Sequence, residues 1–349
     1  MAAEGDNNFI RYIYRGEEGE HNIIPREATH ITVDKDVTVV RAFAFQGHPN
    51  IVEVICHEKV ERIEQYAFNN CPSLRRVVMP GVKIVEFMAF HSSAALTEIE
   101  CGRLEIIKGY AFVNCESLRS INLSSIRILE MCAFNECLTL VEAKFSNKLE
   151  SLGWSAFNNC ESLERITIPL KDGIITDDDI FAGCKQLKHV DLVEGELHET
   201  ISALPLEEWK TDMNNEIDSI NRILPDTYPG YWDEDERDGN PGEKARAIRR
   251  WIRSVLGKII HYQAEHQHVL SMAATTLQLV LPHDIVNRSV LPFLELPPHT
   301  FELAEGGDED EDEASYSEDS SSGGESEMDE VVNDDDEASF KRRMIAIEQ

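Results

Sequence analysis

The chain has 349 residues, of which 42% are hydrophobic, and its formal net charge is −32. The residues from Glu302 to Glu337 include 18 acidic side chains and no Lys or Arg, so the rest of the chain carries a charge of −14. This balance excludes nucleic-acid binding through phosphates, because that requires clustered Lys and Arg.

The first 25 residues carry seven charged side chains, too many for the apolar core of a secretory signal. We assign residues 1–26 to an N-terminal cap segment. No run of about 18 uncharged apolar residues occurs in the sequence. We therefore expect no membrane-spanning segment and no membrane partner.

A phenylalanine recurs every 22 to 24 residues across residues 27–195. Around it, positions eight and five before and six, nine and eleven after are apolar in nearly every unit. Such a period predicts a solenoid in which identical units stack and bury one continuous core. Positions nine and eleven are two apart, the period of a strand, so each unit is predicted to hold one short strand in a parallel ladder. The recurring residues are Phe45, Phe68, Phe90, Phe112, Phe134, Phe157 and Phe181.

Two segments carry a family resemblance. Residues 67–80 read Ala-Phe-Asn-Asn-Cys-Pro-Ser-Leu-Arg-Arg-Val-Val-Met-Pro, and residues 156–169 repeat the pattern. The repeat resembles the BspA-type leucine-rich repeat, which implies a curved right-handed α/β solenoid used for recognition without catalysis. The spacing breaks at Lys171–Ile180, and we expect that insertion to loop out near the last coil.

The side chains eight and ten residues after each Phe are predicted to point outward from the strands. Since adjacent strands lie about 4.8 Å apart, they form a surface two residues wide along the solenoid. Solenoids use such extended faces to bind proteins, so we predict a protein partner here and no cofactor or metal. The predicted partner-binding residues are Glu53, Arg76, Glu98, Glu100, Asn122, Lys144, Arg165, His189 and Asp191.

Five of the eight cysteines lie three residues after a repeat Phe, where successive coils place small buried residues. This periodic placement favours reduced thiols over a disulfide framework. It therefore favours the cytoplasm or the nucleus as the location of the protein. The five are Cys71, Cys115, Cys137, Cys160 and Cys184.

Beyond Gly195 the apolar period becomes helical. We predict an amphipathic helix in 196–224, an acidic linker over 225–242, and a long helix with a short capping helix over 243–300. The long helix carries a heptad seam across 248–280 that can pack against the shorter helix as a hairpin or against a second copy of the chain. His266 is the polar seam position expected to set the register. The seam residues are Ile248, Ile252, Val255, Ile259, Tyr262, His266, Val269, Ala273, Thr276 and Val280.

Residues 281–298 begin with Leu-Pro and a short amphipathic stretch, which faintly resembles the opening of an F-box. That resemblance implies a ubiquitin-ligase substrate adaptor that docks through residues 281–296. The other interpretation is a short helix that caps the helical bundle. The resemblance lacks the second half of the F-box motif.

Residues 301–349 are predicted to be a disordered acidic tail rich in Ser. Acidic residues follow three of its serines at the spacing of acid-directed kinase sites, and Lys341-Arg342-Arg343 forms a short basic cluster.

Catalytic chemistry has little support in the sequence. His261, Glu265 and His268 share one face of the long helix, yet their order differs from the zinc-protease motif and no fourth ligand follows. No nucleophile motif occurs either. The sequence therefore favours a non-catalytic protein-interaction scaffold, with the ligase-type adaptor as the alternative function.

Overall fold

The computed structural model describes residues 9–16, 24–204, 206–227, 242–297 and 299–304. Its first half is a solenoid of parallel strands, as the repeat predicted. The strands that contain the outward positions form a sheet of five strands and a sheet of three, with an isolated bridge from Glu98 to Ser120 after the fifth strand, and the two together are called the first sheet. Its strands are β1 (Arg11–Tyr14), β2 (His30–Val33), β4 (Glu53–Ile55), β6 (Arg76–Val78), β8 (Glu98–Glu100), β11 (Glu142–Lys144), β13 (Arg165–Ile168) and β14 (His189–Leu192).

A second sheet runs along the solenoid, so most coils contain two strands where the sequence predicted one. These strands are two residues long and all pair in parallel. Their apolar columns lie three residues apart, which is not a strand period and hid the element from sequence reasoning. The strands are β3 (Val39–Val40), β5 (Arg62–Ile63), β7 (Ile84–Val85), β9 (Ile106–Ile107), β10 (Ile128–Leu129) and β12 (Ser151–Leu152).

The repeat phenylalanines, here called the ladder Phe residues, stack in one buried column, which confirms the predicted continuous core. The rings of Phe90 and Phe112 lie 5.1 Å apart and 6° from parallel, and the other neighbouring pairs are similar. Tyr14 extends the column by one ring, 5.0 Å from Phe45. Because β1 pairs in register with β2, a strand within the predicted cap segment continues the first sheet.

Each turn around a ladder ring contains left-handed backbone, which explains the Asn and Gly found two residues after the Phe. Asn70, Asn114 and Asn159 have φ values of 55°, 57° and 56°. Gly183 occupies the same position in the last coil at φ 72°, and a Cβ atom there would lie 2.1 Å from Oδ1 of Asn159. Asn and Gly are the residues that tolerate this conformation best.

The insertion at 171–180 does not loop out, so that prediction is wrong. Ile174, Ile175 and Ile180 are buried in the core, and Asp178–Phe181 forms a 3-10 helix. Asp178 accepts hydrogen bonds from Arg246 and Arg249, both at 2.8 Å. The insertion therefore forms part of the surface on which the long helix packs.

The helices that follow the solenoid pack as the predicted antiparallel hairpin. The ring of Trp209 lies 5.4 Å from that of Tyr262 at one end. At the other end, Nζ of the buried Lys244 donates to the carbonyl of Leu224 over 3.1 Å. The helices are α1 (Glu196–Ala203), α2 (Glu207–Ile223) and α3 (Glu243–Gln278).

After α3, residues 283–293 form short helical turns that fold back on α3 and bury Val286. His266 is buried, but its Nε2 donates to the carbonyl of Leu294 over 2.6 Å and not to α2. The chain then returns to the last coil, where the amide of Ala304 donates to Asp172 over 3.0 Å. Most of the predicted linker, the tail beyond 304 and the cluster at 341–343 lie outside the described residues.

Candidate binding surface

The first-sheet face is formed by the outward side chains of the first sheet, eight and ten residues after each ladder Phe. The alternation is clear in β8, where Glu98 and Glu100 are exposed and Ile99 between them is buried. Parallel register then places equivalent residues side by side, with Arg76 between Glu53 and Glu98. Eight of the nine predicted partner-binding residues lie on strands of this face, whereas Asn122 lies outside the strands.

Four of those residues form one charge cluster around Arg76. Its guanidinium contacts the carboxylates of Glu53 and Glu100, and its Nε lies 3.3 Å from Glu98. The hydrogen bonds that Arg76 donates to Glu53 and Glu100 raise the pKa of Arg76. Three carboxylates face one guanidinium here, so the N-terminal part of the face carries an excess of negative charge.

The remaining predicted residues have different roles. Oδ1 of Asn122 accepts hydrogen bonds from the amide and the hydroxyl of Ser124, which makes it a turn residue. Arg165 pairs with Asp191 on the neighbouring strand. Lys144 and His189 are exposed, and neither forms an ion pair among the described residues.

A groove of about 720 Å³ lies where the first-sheet face meets the helices. Lys144, Arg165 and Asp191 line it from the sheet, and His198 from α1 and Asp218 from α2 line it from the other side. Sequence reasoning missed the helical wall, because its residues are distant from the repeat and follow no period.

The helical wall of this groove is held at a fixed distance from the sheet. Oδ1 of Asn221 accepts a hydrogen bond from the amide of Val190 over 2.8 Å, which joins α2 to β14. Acidic residues outnumber basic ones in the lining, since Lys144 and Arg165 are its only Lys or Arg among the described residues. The acidic residues of the lining are Glu142, Asp191, Glu194 and Asp218.

A second feature missed by sequence reasoning is an apolar ridge at the turn after the second strand of each coil. The ring of Phe43 lies 5.1 Å from that of Tyr66, and edge-to-face contacts continue through Phe87. Trp154, at the last coil of the ridge, is 48% exposed. The sequence pattern that could have predicted this ridge is a large apolar or aromatic side chain two or three residues before each of these ladder Phe residues. The ridge consists of Phe43, Tyr66, Phe87, Tyr110, Met131 and Trp154.

The thiols lack the environment of a nucleophile. Burial raises the pKa of all eight, as it does to about 12 for Cys56 and to about 11 for Cys101. Reactive cysteines have lowered pKa values, because the thiolate is the attacking form. All eight are free thiols.

The histidines of α3 do not form a metal centre with their neighbours. His261 lies 3.3 Å from Glu265, whereas His268 is exposed. Within the described ranges, no group of three or more His, Cys, Asp or Glu side chains is arranged to hold a metal ion. Nor is any described helix long and apolar enough to cross a membrane.

A parallel solenoid with a long outward face is the architecture of a leucine-rich repeat protein. The sequence model of the BspA-type leucine-rich repeat region matches residues 26–129 and 105–208 in six copies. The chain belongs to the BspA-type leucine-rich repeat family, as the repeat strings predicted.

Three solved structures are similar to part of the chain. A leucine-rich repeat protein of T. pallidum is 28% identical, with 40% of this chain and 69% of that chain covered and a TM-score of 0.37. The pneumococcal vaccine antigen PcpA is 16% identical, with 53% and 66% covered and a TM-score of 0.26. Human 5T4, a trophoblast glycoprotein, is 15% identical, with 52% and 76% covered and a TM-score of 0.31. No curated protein matches the chain.

Proposed function

We propose that this protein is a non-catalytic scaffold that binds a protein partner along the first-sheet face and anchors it in the groove beside α2. The observation that carries the proposal is that groove. It brings Lys144, Arg165 and Asp191 of the predicted binding face together with the helical wall. The groove lies between a sheet and a helix that are already held in place, so few of its side chains must become ordered when a partner binds. The smaller loss of conformational entropy favours affinity.

The charge of the groove indicates the chemistry of the partner. Among the described lining residues, Asp191 is paired with Arg165, whereas Glu142, Glu194 and Asp218 form no ion pair. The Arg76 cluster adds three more carboxylates along the same face. We therefore expect a segment with Lys or Arg side chains, steered to the face by its potential.

The test is selection of random displayed peptides on the purified full chain. The expected outcome is enrichment of Lys- and Arg-containing peptides. Their affinity should fall about tenfold or more in a Glu142→Lys, Asp218→Lys double variant, the equivalent of at least 1.4 kcal/mol. The matched control is Glu58→Lys, Asp226→Lys, which makes the same charge change at exposed sites outside the groove.

Two results would overturn this function. Peptides that bind the groove variant and the control equally well would place binding elsewhere, with the ridge from Phe43 to Trp154 as the next surface to substitute. Enrichment of acidic peptides would contradict the proposed partner chemistry. A thermal melt of each variant separates loss of binding from loss of fold.

We further infer that the protein works in a reducing compartment, the cytoplasm or the nucleus. What supports this is the set of eight free thiols, seven of them buried among the packed coils. Reduced thiols persist where glutathione and thioredoxin act. Fluorescent tagging in the native cell tests the inference, and a secreted or lumenal signal would contradict it.

A further inference from the structure

The distal half of α3 and the turns after it expose a continuous apolar surface, here called the α3 tip. Residues 269–281 contain no charged side chain. Leu279 is 83% exposed, and Val280 and Phe293 are each 84% exposed. Exposed apolar patches of this kind mark interaction sites. The other large apolar residues of the α3 tip are Val269, Met272, Leu281, Ile285 and Leu294.

The α3 tip continues a packing interface that the chain fills only in part. From Lys244 to Tyr262, α3 is covered by α2, and the cover stops there because α2 begins at Glu207. The heptad seam nevertheless runs on through Val269 and Val280. The predicted seam is thus divided, with its first half buried inside the chain and its second half in water.

The turns that fold back on α3 do not cover this second half. They bury Val286, and His266 bonds to the carbonyl of Leu294 beside them. Gln278 contacts Asn287 near the end of the helix at 3.4 Å. Val280 stays exposed, so the seam needs a cover from outside the described residues of this chain.

The charges beside the α3 tip point to the occupant. Asp284 and Arg288 are exposed, lie four residues apart, and form no ion pair within the described ranges. Asp284 and Arg288 place one acid and one base beside the uncharged seam, and this pair is complementary to itself, while Glu295 adds an exposed carboxylate next to Leu294. Under twofold symmetry the same patch is used on both chains, so each charge can face its opposite.

We propose that a second copy of this chain packs on the α3 tip. In this dimer, residues 269–281 of the two copies continue each other's seam in an antiparallel pair, and Asp284 of one copy faces Arg288 of the other. The seam side chains of one copy then pack between those of the other, on the part of α3 that α2 does not cover. Two grooves per assembly would allow a partner with repeated segments to bind twice.

Sedimentation equilibrium of the full chain tests this at salt high enough to screen the net charge of −32. The expected mass is twice the 39.6 kDa of one chain. A Val269→Glu, Val280→Glu variant should sediment as a monomer that still melts cooperatively, because both side chains are exposed. The control Ile223→Glu removes an exposed apolar residue from α2 and should leave the dimer intact.

Charge swaps test the pairing itself. Asp284→Arg alone or Arg288→Asp alone should weaken self-association by roughly fivefold, and the double swap should restore it. A wild-type monomer at every concentration would overturn the proposal, even if another protein, such as a ligase subunit, bound the same surface. A dimer that the Val269→Glu, Val280→Glu variant retains would overturn it as well.

Discussion

The Sγ atom of Cys115 donates a hydrogen bond to the main-chain carbonyl of Phe90, one coil earlier, over 3.2 Å. Four other cysteines of this column make the same bond to the ladder Phe of the preceding coil. Ser93, which stands in for Cys in one coil, donates to the carbonyl of Phe68 over 2.7 Å. In six of the seven coils the column thus places a side-chain donor on a main-chain carbonyl of the preceding coil, and this is a physical reason for a small donor there.

Replacement of Ser93 tests whether the donor or only the small size matters. Ser93→Ala should lower the free energy of unfolding by about 1–3 kcal/mol, because the carbonyl of Phe68 loses its partner in a dry environment. Ser93→Cys restores the donor of the neighbouring coils and should cost much less. Urea titration at constant m-value measures both changes. Equal losses in the two variants would mean that the hydrogen bond does not matter.

The stacked ladder Phe rings predict that the free energy of unfolding depends strongly on the rings in the middle of the column. Phe112→Ala should lower the free energy of unfolding by about 3–5 kcal/mol, since the ring is fully buried between Phe90 and Phe134. Phe43→Ala removes a ring of the same size from the exposed ridge and should cost far less. Thermal melts compare the two. Similar costs would show that the column is not the core of the array.

The buried thiols predict a loss of stability in alkali. Burial raises the pKa of Cys56 from 9.0 to about 12, so above pH 9 the folded state keeps a proton that the unfolded state releases. The stabilisation from Cys56 is complete below pH 9 and is lost as the pH rises toward 12, and this one thiol contributes at most about 1.4 kcal/mol per pH unit to the slope.

Urea midpoints between about pH 8 and about pH 11 measure this slope. Cys56→Ala should make the slope shallower by up to one proton, whereas Ser120→Ala, which removes no titrating group, should keep that of the wild type. A slope unchanged by loss of Cys56 would mean that the thiol is reached by solvent.

Asp172 of the insertion holds the chain segment that follows α3 through its hydrogen bonds. Its side chain is 3% exposed and accepts hydrogen bonds from Arg253 over 3.1 Å and from the amide of Ala304 over 3.0 Å. Asp172→Ala leaves both donors without their acceptor and should cost about 2–3 kcal/mol. Amide exchange should then become faster at Ala304.

The neighbouring substitution Lys171→Ala serves as the control, because that side chain is exposed. It should leave amide exchange at Ala304 close to that of the wild type. Unchanged exchange in Asp172→Ala would instead show that the segment is held by other contacts, such as His299 with Glu199 at 3.3 Å.

Much of the solenoid was predictable because each unit meets its neighbours at a constant offset in sequence. The ring of Phe112 contacts the rings of the Phe residues 22 positions before and after it. The repeat period therefore predicts which side chains are in contact. The outward residues such as Arg76 followed from the strand period of two. The apolar stripe of α3 required a cover, and the hairpin with α2 was one of the two covers that the sequence left open.

The sequence by itself therefore determined the repeat, its buried columns and the helical periods, since all of these are local patterns. Tertiary structure alone decided where the insertion goes, because Asp178 meets Arg246 and Arg249 from about 70 positions away. Tertiary structure also formed the groove beside α2 and left the apolar side chains of the α3 tip exposed. Contacts between segments without a common period depend on packing in three dimensions, and no spacing along the chain records them.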